Sequence, residues 1–245
     1  ILISNDDGVL QLRLNRPDKK NALTQAMYQA LSEALNASND DDSVRAIVLS
    51  AEGDIFCAGN DLEDFLKNPS TDSSSPVYKF MQAMVAAKKP IIAAVNGQAV
   101  GIGTTMLLHC DLVYAGESAI FLMPFAQLGV CPEFGASLLF PMLCGKAQAS
   151  EFLLCATPLD ATTAKDVGLL TAVTTDEELT ITAMHKAAAI AQQPPVATMT
   201  TKSLIKQAMQ PQLNEAIDRE GQEFTRLLQQ DEAKRIIAGF FKGKK

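Results

Sequence analysis

The chain has 245 residues, 47% of them hydrophobic, a formal net charge of −7 at pH 7, no tryptophan and three tyrosines. That composition supports one substantial core, and it excludes the basic, aromatic-studded face of a nucleic-acid binder. No apolar run reaches the ~20 residues that cross a bilayer, so no membrane partner is expected.

The opening Ile1-Leu2-Ile3-Ser4 lacks the charged-then-apolar pattern of a leader, which gives a cytoplasmic expectation, although the missing Met leaves room for a few preceding residues. Ile1 to Leu14 reads as a hairpin, with Asp6-Asp7-Gly8 as the turn and period-two alternation after it. Arg16-Pro17 ends the strand. Thr24 is placed to cap a helix whose apolar residues Met27, Leu31 and Leu35 recur at helical spacing. Val44 to Ser50 and Ile91 to Val95 read as short strands, and Lys67 to Ser75 as a polar surface loop. Gly101 opens a helix through Thr104, Met106, Leu107 and Leu108, and Asp111 to Ala115 follows as a strand. This alternation argues for an α/β architecture. From about Ala161 the pattern turns helical, and residues 196–245 read as an all-helical ending. Its apolar residues Leu227, Leu228, Ile236, Ile237, Phe240 and Phe241 exceed what a lone helix hides. They must meet either a second subunit or the chain's own core.

Several chemistries lack their residues. The five cysteines, Cys57, Cys110, Cys131, Cys144 and Cys155, are odd in number, scattered and without a Cys-x-x-Cys pair, as reduced core thiols are. Of the two histidines, His185 stands alone and His109 reads as structural; no Cys/His cluster has zinc spacing, so no metal is expected. No G-x-S-x-G elbow, dinucleotide fingerprint or P-loop occurs. An enzyme built from this chain must use carboxylates and backbone N–H groups.

Three segments are not explained as turns alone. They are the small-residue loop Ile55-Phe56-Cys57-Ala58-Gly59-Asn60-Asp61-Leu62, the glycine-spaced turn Asn96-Gly97-Gln98-Ala99-Val100-Gly101-Ile102-Gly103, and Leu128-Gly129-Val130-Cys131-Pro132-Glu133-Phe134-Gly135, a Gly/Pro loop with one acid. In order and content they are similar to the enoyl-CoA hydratase/isomerase (crotonase) superfamily, in forms that most resemble its Δ3,Δ2-enoyl-CoA isomerase branch. The resemblance spans essentially the whole chain, from Arg16-Pro17 and Asn21-Ala22-Leu23 to the helical ending at Asp231 to Phe240.

The resemblance implies an α/β crotonase (ClpP/crotonase-like) spiral of ββα repeats over residues 1–195, with a helical oligomerisation region over 196–245 and a homotrimer or hexamer. It implies an acyl-CoA thioester as substrate, with no cofactor beyond the coenzyme A of the substrate itself. The N–H groups of Asn60 and Ile102 would form an oxyanion hole for a thioester enolate, each donor worth roughly 3 kcal/mol. Ile102 stands at a helix start, where N–H groups point outward. The two glutamates of hydratases fall on Thr105 and Phe125 here, and neither is an acid or a base. Glu133 matches the single isomerase glutamate. Its apolar neighbours Val130, Phe134, Leu138 and Phe125 are expected to raise its pKa. Ala22, Leu23, Ala58, Gly59, Asn60, Asp61 and Leu62 match the coenzyme A site, with Lys19 and Lys20 as candidate phosphate contacts. Phe65, Met84, Ile102, Phe125 and Leu128 are candidates to line the acyl cavity. The implied activity is the shift of 3-enoyl-CoA to 2-trans-enoyl-CoA in fatty-acid oxidation. The alternatives are another crotonase-type reaction such as hydration, and a non-catalytic acyl-CoA-binding module.

Overall fold

The hairpin forms where its alternation predicts: β1 (Leu2–Asp6) pairs antiparallel with β2 (Val9–Leu14), Asp6 facing Val9 across the turn. The structure, a computed structural model, describes residues 1–67 and 74–242, and their side chains except those of residues 65–67 and 240–242. Thr24 caps α1 (Gln25–Ser38), its Oγ1 accepting from the Met27 N–H at 3.3 Å. Met27, Tyr28, Leu31 and Leu35 form the buried face of that helix, each leucine worth about 2 kcal/mol in burial. β3 (Ala46–Ala51) starts two residues later than the expected strand, because the Val44 N–H turns back to the Asp41 carbonyl. α2 (Leu62–Lys67) and α3 (Pro76–Ala86) flank the polar stretch, of which residues 68–73 lie outside the described residues.

β4 (Ile91–Val95) and β5 (Gln98–Val100) lead into α4 (Ile102–Thr105). The helix expected to run on through Leu108 stays α-helical for one turn and tightens to a 3-10 turn over Met106–His109. After it come β6 (Leu112–Gly116), β7 (Ile120–Leu122), α5 (Ala136–Cys144), α6 (Lys146–Leu154), β8 (Leu159–Asp160) and α7 (Ala161–Asp166). β9 (Ala172–Thr174) corrects the expectation of a helical pattern from about Ala161 onward; three residues are too few to show a strand period. α8 (Leu179–Ala191), α9 (Pro195–Gln207), α10 (Gln210–Leu228) and α11 (Asp231–Lys242) complete the order.

The strands form two sheets. The larger has the order β1-β2-β3-β4-β6-β9 and is parallel apart from its opening hairpin. The smaller joins β5, β7 and β8. β4 is buried at every position because both faces of the large sheet are covered, as in parallel sheets generally. On one face Val9, Ala46, Val48, Ile92 and Ala94 meet Ala183, Ala187 and Ala191 of α8. On the other, Leu12, Ile47, Leu49, Ile91 and Val95 join the main core with α1, α3 and α5.

The C-terminal helices resolve part of the choice left open by the sequence. Leu227 and Leu228 pack on the chain's own core, Ala233 is fully buried in it, and Ile237 is buried. The side chains of Phe240 and Phe241 lie outside the described residues. Lys202 pins α9 to the sheet, donating to Asp111 Oδ2 at 2.6 Å and to the Lys89 carbonyl at 2.8 Å. Among the described residues no helix is long and apolar enough to cross a membrane.

Candidate active site

The loop after β3 is threaded between two other segments by backbone hydrogen bonds. On one side the Ala58 N–H donates to the Lys20 carbonyl (3.0 Å), the Leu23 N–H to the Gly59 carbonyl (2.8 Å) and the Asp61 N–H to the Leu23 carbonyl (2.9 Å). On the other the Phe56 N–H reaches the Asn96 carbonyl (2.8 Å), the Cys57 N–H that of Gln98 (3.0 Å), and the Val100 N–H that of Cys57 (2.8 Å). These pairings bring Ala22, Leu23, Ala58, Gly59, Asn60 and Asp61 into one strip beside the turn that carries Ile102. The turn requires glycines where it crosses the loop. A Cβ on Gly103 would lie 2.7 Å from the Cys57 carbonyl oxygen, and one on Gly97, at φ 57°, would overlap the Asp54 carbonyl.

On this strip and at the turn beside it, Asn60 and Ile102 each present an amide that has no acceptor among the described residues. The Asn60 N–H has no acceptor among the described residues, although the amides on both sides of it are engaged. Ile102 is the first residue of α4, where no intrahelical acceptor exists for its N–H. The Gly101 carbonyl instead accepts from Thr104 and Thr105 (2.9 and 3.0 Å).

Several of the sequence-derived ligand residues are occupied with holding the strip. Arg16 Nη1 donates to Asp61 Oδ2 (2.6 Å) and to the Ala22 carbonyl (3.0 Å), and Asp61 also accepts from the Asp64 N–H (3.0 Å). Asn21 is fully buried in the left-handed region at φ 53° and bonds the Arg16 N–H, the Glu52 carbonyl and the Ile55 carbonyl. Lys19 and Lys20 are exposed at the end of a 3-10 turn, Lys20 itself left-handed at φ 52°. Met84, Ile102 and Phe125 are buried and Leu128 is half-buried, while the Phe65 side chain lies outside the described residues.

Glu133 sits on the loop before α5, 7% exposed, with its Oε1 lacking any hydrogen-bond partner. Burial first, and the nearby Glu220 carboxylate second, push its pKa up to about 8. Of the apolar surroundings foreseen, Val130, Phe134 and Phe125 are buried with it and Leu138 is half-buried. The fully buried Thr105 also leaves its hydroxyl without a partner.

Three residues that sequence reasoning did not single out for the site shape the Glu133 loop and the strip. Glu220, from α10, accepts from the Gly135 N–H (2.6 Å) and the Ser137 N–H (2.8 Å), closing the start of α5 just beyond Glu133. His109, read only as structural, donates from Nε2 to the Phe134 carbonyl at 2.8 Å and stacks on the Phe134 ring at 3.8 Å. Burial holds its pKa down at about 4, so it is neutral and its Nε2 carries the proton. Phe134 is thereby held in the left-handed region at φ 64°, a conformation unfavourable for a bulky residue. Tyr28 donates from its hydroxyl to Asn60 Oδ1 at 2.5 Å, and its ring meets Phe80 at 5.4 Å. Phe80 in turn meets Phe134 at 6.1 Å, so aromatic rings join α1 to the Glu133 loop.

Two sheets with a helical ending, and a strip of small residues crossing a glycine turn and joined through Tyr28 and Phe80 to the loop of the buried Glu133, define a crotonase-fold protein. The match to solved structures agrees: an enoyl-CoA hydratase/isomerase from Pseudoalteromonas atlantica T6c superposes with a TM-score of 0.94 at 40% identity, covering 100% of this chain and 97% of that one. The enoyl-CoA hydratase/isomerase family model matches residues 4–245, and the chain belongs to that family. Among named relatives, 1,2-epoxyphenylacetyl-CoA isomerase of Escherichia coli K12 is 37% identical over 90% of this chain and 87% of its own length. Human enoyl-CoA delta isomerase 2 is 34% identical over 87% of this chain, which spans only 56% of that longer protein.

Proposed function

We propose that the chain is a Δ3,Δ2-enoyl-CoA isomerase acting in fatty-acid oxidation, with Glu133 as its only acid–base group. The observation that carries this reading is that Glu133, alone among the buried carboxylates of the described residues, has an unpartnered oxygen, with a pKa of about 8, while Thr105 and Phe125 can neither give nor take a proton. Ionised Glu133 removes a proton from C2 of a 3-enoyl-CoA. The electron pair of that C–H bond passes into the thioester as a dienolate, and the same carboxyl then returns the proton to C4. The double bond is left between C2 and C3, and the carboxylate is regenerated. The enolate oxygen lies between the N–H groups of Asn60 and Ile102, whose preformed positions require no rearrangement as charge develops. One group suffices because no water is added.

In this reading coenzyme A lies along Ala22, Leu23, Ala58, Gly59, Asn60, Asp61 and Leu62, with Lys20 at its phosphates and Phe125 beside the acyl chain. The substrate brings the coenzyme A, no resident cofactor takes part, and the setting is cytoplasmic. Exposed Val196, Leu204 and Ile205 on α9, with Met142 on α5, support assembly as a homotrimer or hexamer. A second reading keeps Glu133 and the enolate but takes a different CoA thioester; the 37% identity to a 1,2-epoxyphenylacetyl-CoA isomerase favours it.

The test offers purified protein 3-trans-enoyl-CoA and, separately, 2-trans-enoyl-CoA in water. The expected outcome is conversion of the first to the 2-trans product with little 3-hydroxyacyl-CoA from either. Ready hydration of 2-trans-enoyl-CoA contradicts the single-base reading, and turnover of an epoxide thioester alone selects the second.

A further inference from the structure

Tyr28 stands at a helix position where the apolar repeat of α1 asks only for a core filler, and it is 1% exposed. Phenylalanine would fill that space against Phe80 equally well. A phenol hydroxyl in such a place is unfavourable unless it is bonded, and this one is spent on a single acceptor, Asn60 Oδ1, at 2.5 Å. Burial, then the Glu133 carboxylate, then the Cys57 thiol, hold the Tyr28 hydroxyl well above the ordinary tyrosine range, so it remains a donor. The hydroxyl thus lies within reach of Glu133's charge.

Asn60 is the residue of the strip whose N–H is left over. Its neighbours are fixed by backbone bonds: Gly59 through its carbonyl to Leu23, and Asp61 through its N–H to the Leu23 carbonyl. The Asn60 N–H lies in the same planar peptide as the Gly59 carbonyl, so the Leu23 bond sets its direction, and what the Asn60 side chain decides is where that peptide sits relative to the rest of the site. Anchoring Oδ1 ties Asn60, and the peptide before it, to the helix that carries Tyr28.

We propose that Tyr28 is a positioning residue for the oxyanion loop: through Asn60 Oδ1 and the Phe80 and Phe134 rings it registers that loop, and with it the Asn60 N–H, against the Glu133 loop. The proposal rests on the isomerase reading above for its rate predictions, and extends it to a residue of α1 that touches no substrate.

The experiment is a double-mutant cycle of Tyr28→Phe and Asn60→Ala on 3-trans-enoyl-CoA, with Glu133→Gln alongside. Asn60→Ala keeps the backbone N–H and loses only the anchor. Each single variant is expected to lower kcat by roughly tenfold, short of the ~100-fold that a 1 Å misplacement costs, with KM little changed. The double variant is expected to be no slower than either single one, since the two act through one bond. In the 15N–1H spectrum the Asn60 amide shifts in Tyr28→Phe, a readout that needs no turnover. Wild-type kcat in Tyr28→Phe, losses that multiply in the double variant, kcat falling in step with thermal stability, or an unmoved Asn60 amide each overturn the proposal. Glu133→Gln separates the claims: its activity decides the isomerase reading, whereas the cycle and the amide shift decide the role of Tyr28.

Discussion

The two halves of the site are built by opposite means. The oxyanion half uses backbone: the loop of residues 57–61 is laced to the segments at Lys20–Leu23 and Gln98–Val100 by backbone hydrogen bonds, with the Asn60 side chain tied to Tyr28. The Glu133 half uses one side chain, held by contacts from distant elements, His109 beneath Phe134 and Glu220 across the start of α5. A backbone site fails when its peptides are displaced, by a colliding Cβ or a lost anchor, whereas a side-chain site fails with its one functional group but can be tuned by its neighbours.

Replacing the group itself should have the largest effect. Glu133→Gln is expected to lower isomerisation by ~100-fold or more, as loss of a general base does. It should also alter the pH dependence of stability, measured by thermal unfolding. The folded protein retains the Glu133 proton up to about 8, whereas the unfolded chain releases it near 4.5. The folded state thus binds the extra proton, and stability is lost as pH rises through that window. Glu133→Gln lacks this loss, so its stability relative to wild type should rise from pH 5 to pH 8.

The backbone half is broken next. Gly103→Val places a side chain on the Cys57 carbonyl and must push the two loops apart. A cost of about 2 kcal/mol in unfolding free energy is expected, as for other overpacked sites, with kcat reduced as the oxyanion donors separate. The conservative Gly103→Ala should show the same direction and a smaller fall, checked by denaturant titration alongside the assay.

Glu220→Gln tunes rather than breaks. Its charge is the second cause of the raised Glu133 pKa, so the ascending limb of the pH–rate profile should move to lower pH. One of its two bonds to the start of α5 is lost with the charge, a helix-cap loss of about 1 kcal/mol. The smallest effect belongs to Thr105→Val. Removing a buried hydroxyl that has no partner should leave isomerisation within assay error and stabilise by up to about 1 kcal/mol. A marked loss of activity in that variant would give position 105 a role that this account denies it.

The sequence was most readable where local chemistry decides the structure. Thr24 and the spacing of Met27, Leu31 and Leu35 marked α1, the apolar run Ile91 to Val95 marked β4 to the residue, and one acid in a Gly/Pro loop marked Glu133. The strands β5, β7, β8 and β9 are two or three residues long and carry no period of their own. The residues that support the site were hidden for related reasons. Tyr28 follows the helix repeat and reads as core. Glu220 lies on an amphipathic helix and reads as a solvated charge until it meets Gly135, 85 residues away in sequence. His109 gave no sign that its partner would be the residue after Glu133.

The pH profile of kcat/KM for 3-enoyl-CoA isomerisation, measured from pH 5 to pH 9.5, tests the central claim most directly. One ascending limb is expected, with its midpoint near 8, set by the buried Glu133 carboxyl and displaced downward in Glu220→Gln. A profile flat across that range, or a limb in the ordinary glutamate range near 4.5, would contradict Glu133 as a buried base of raised pKa.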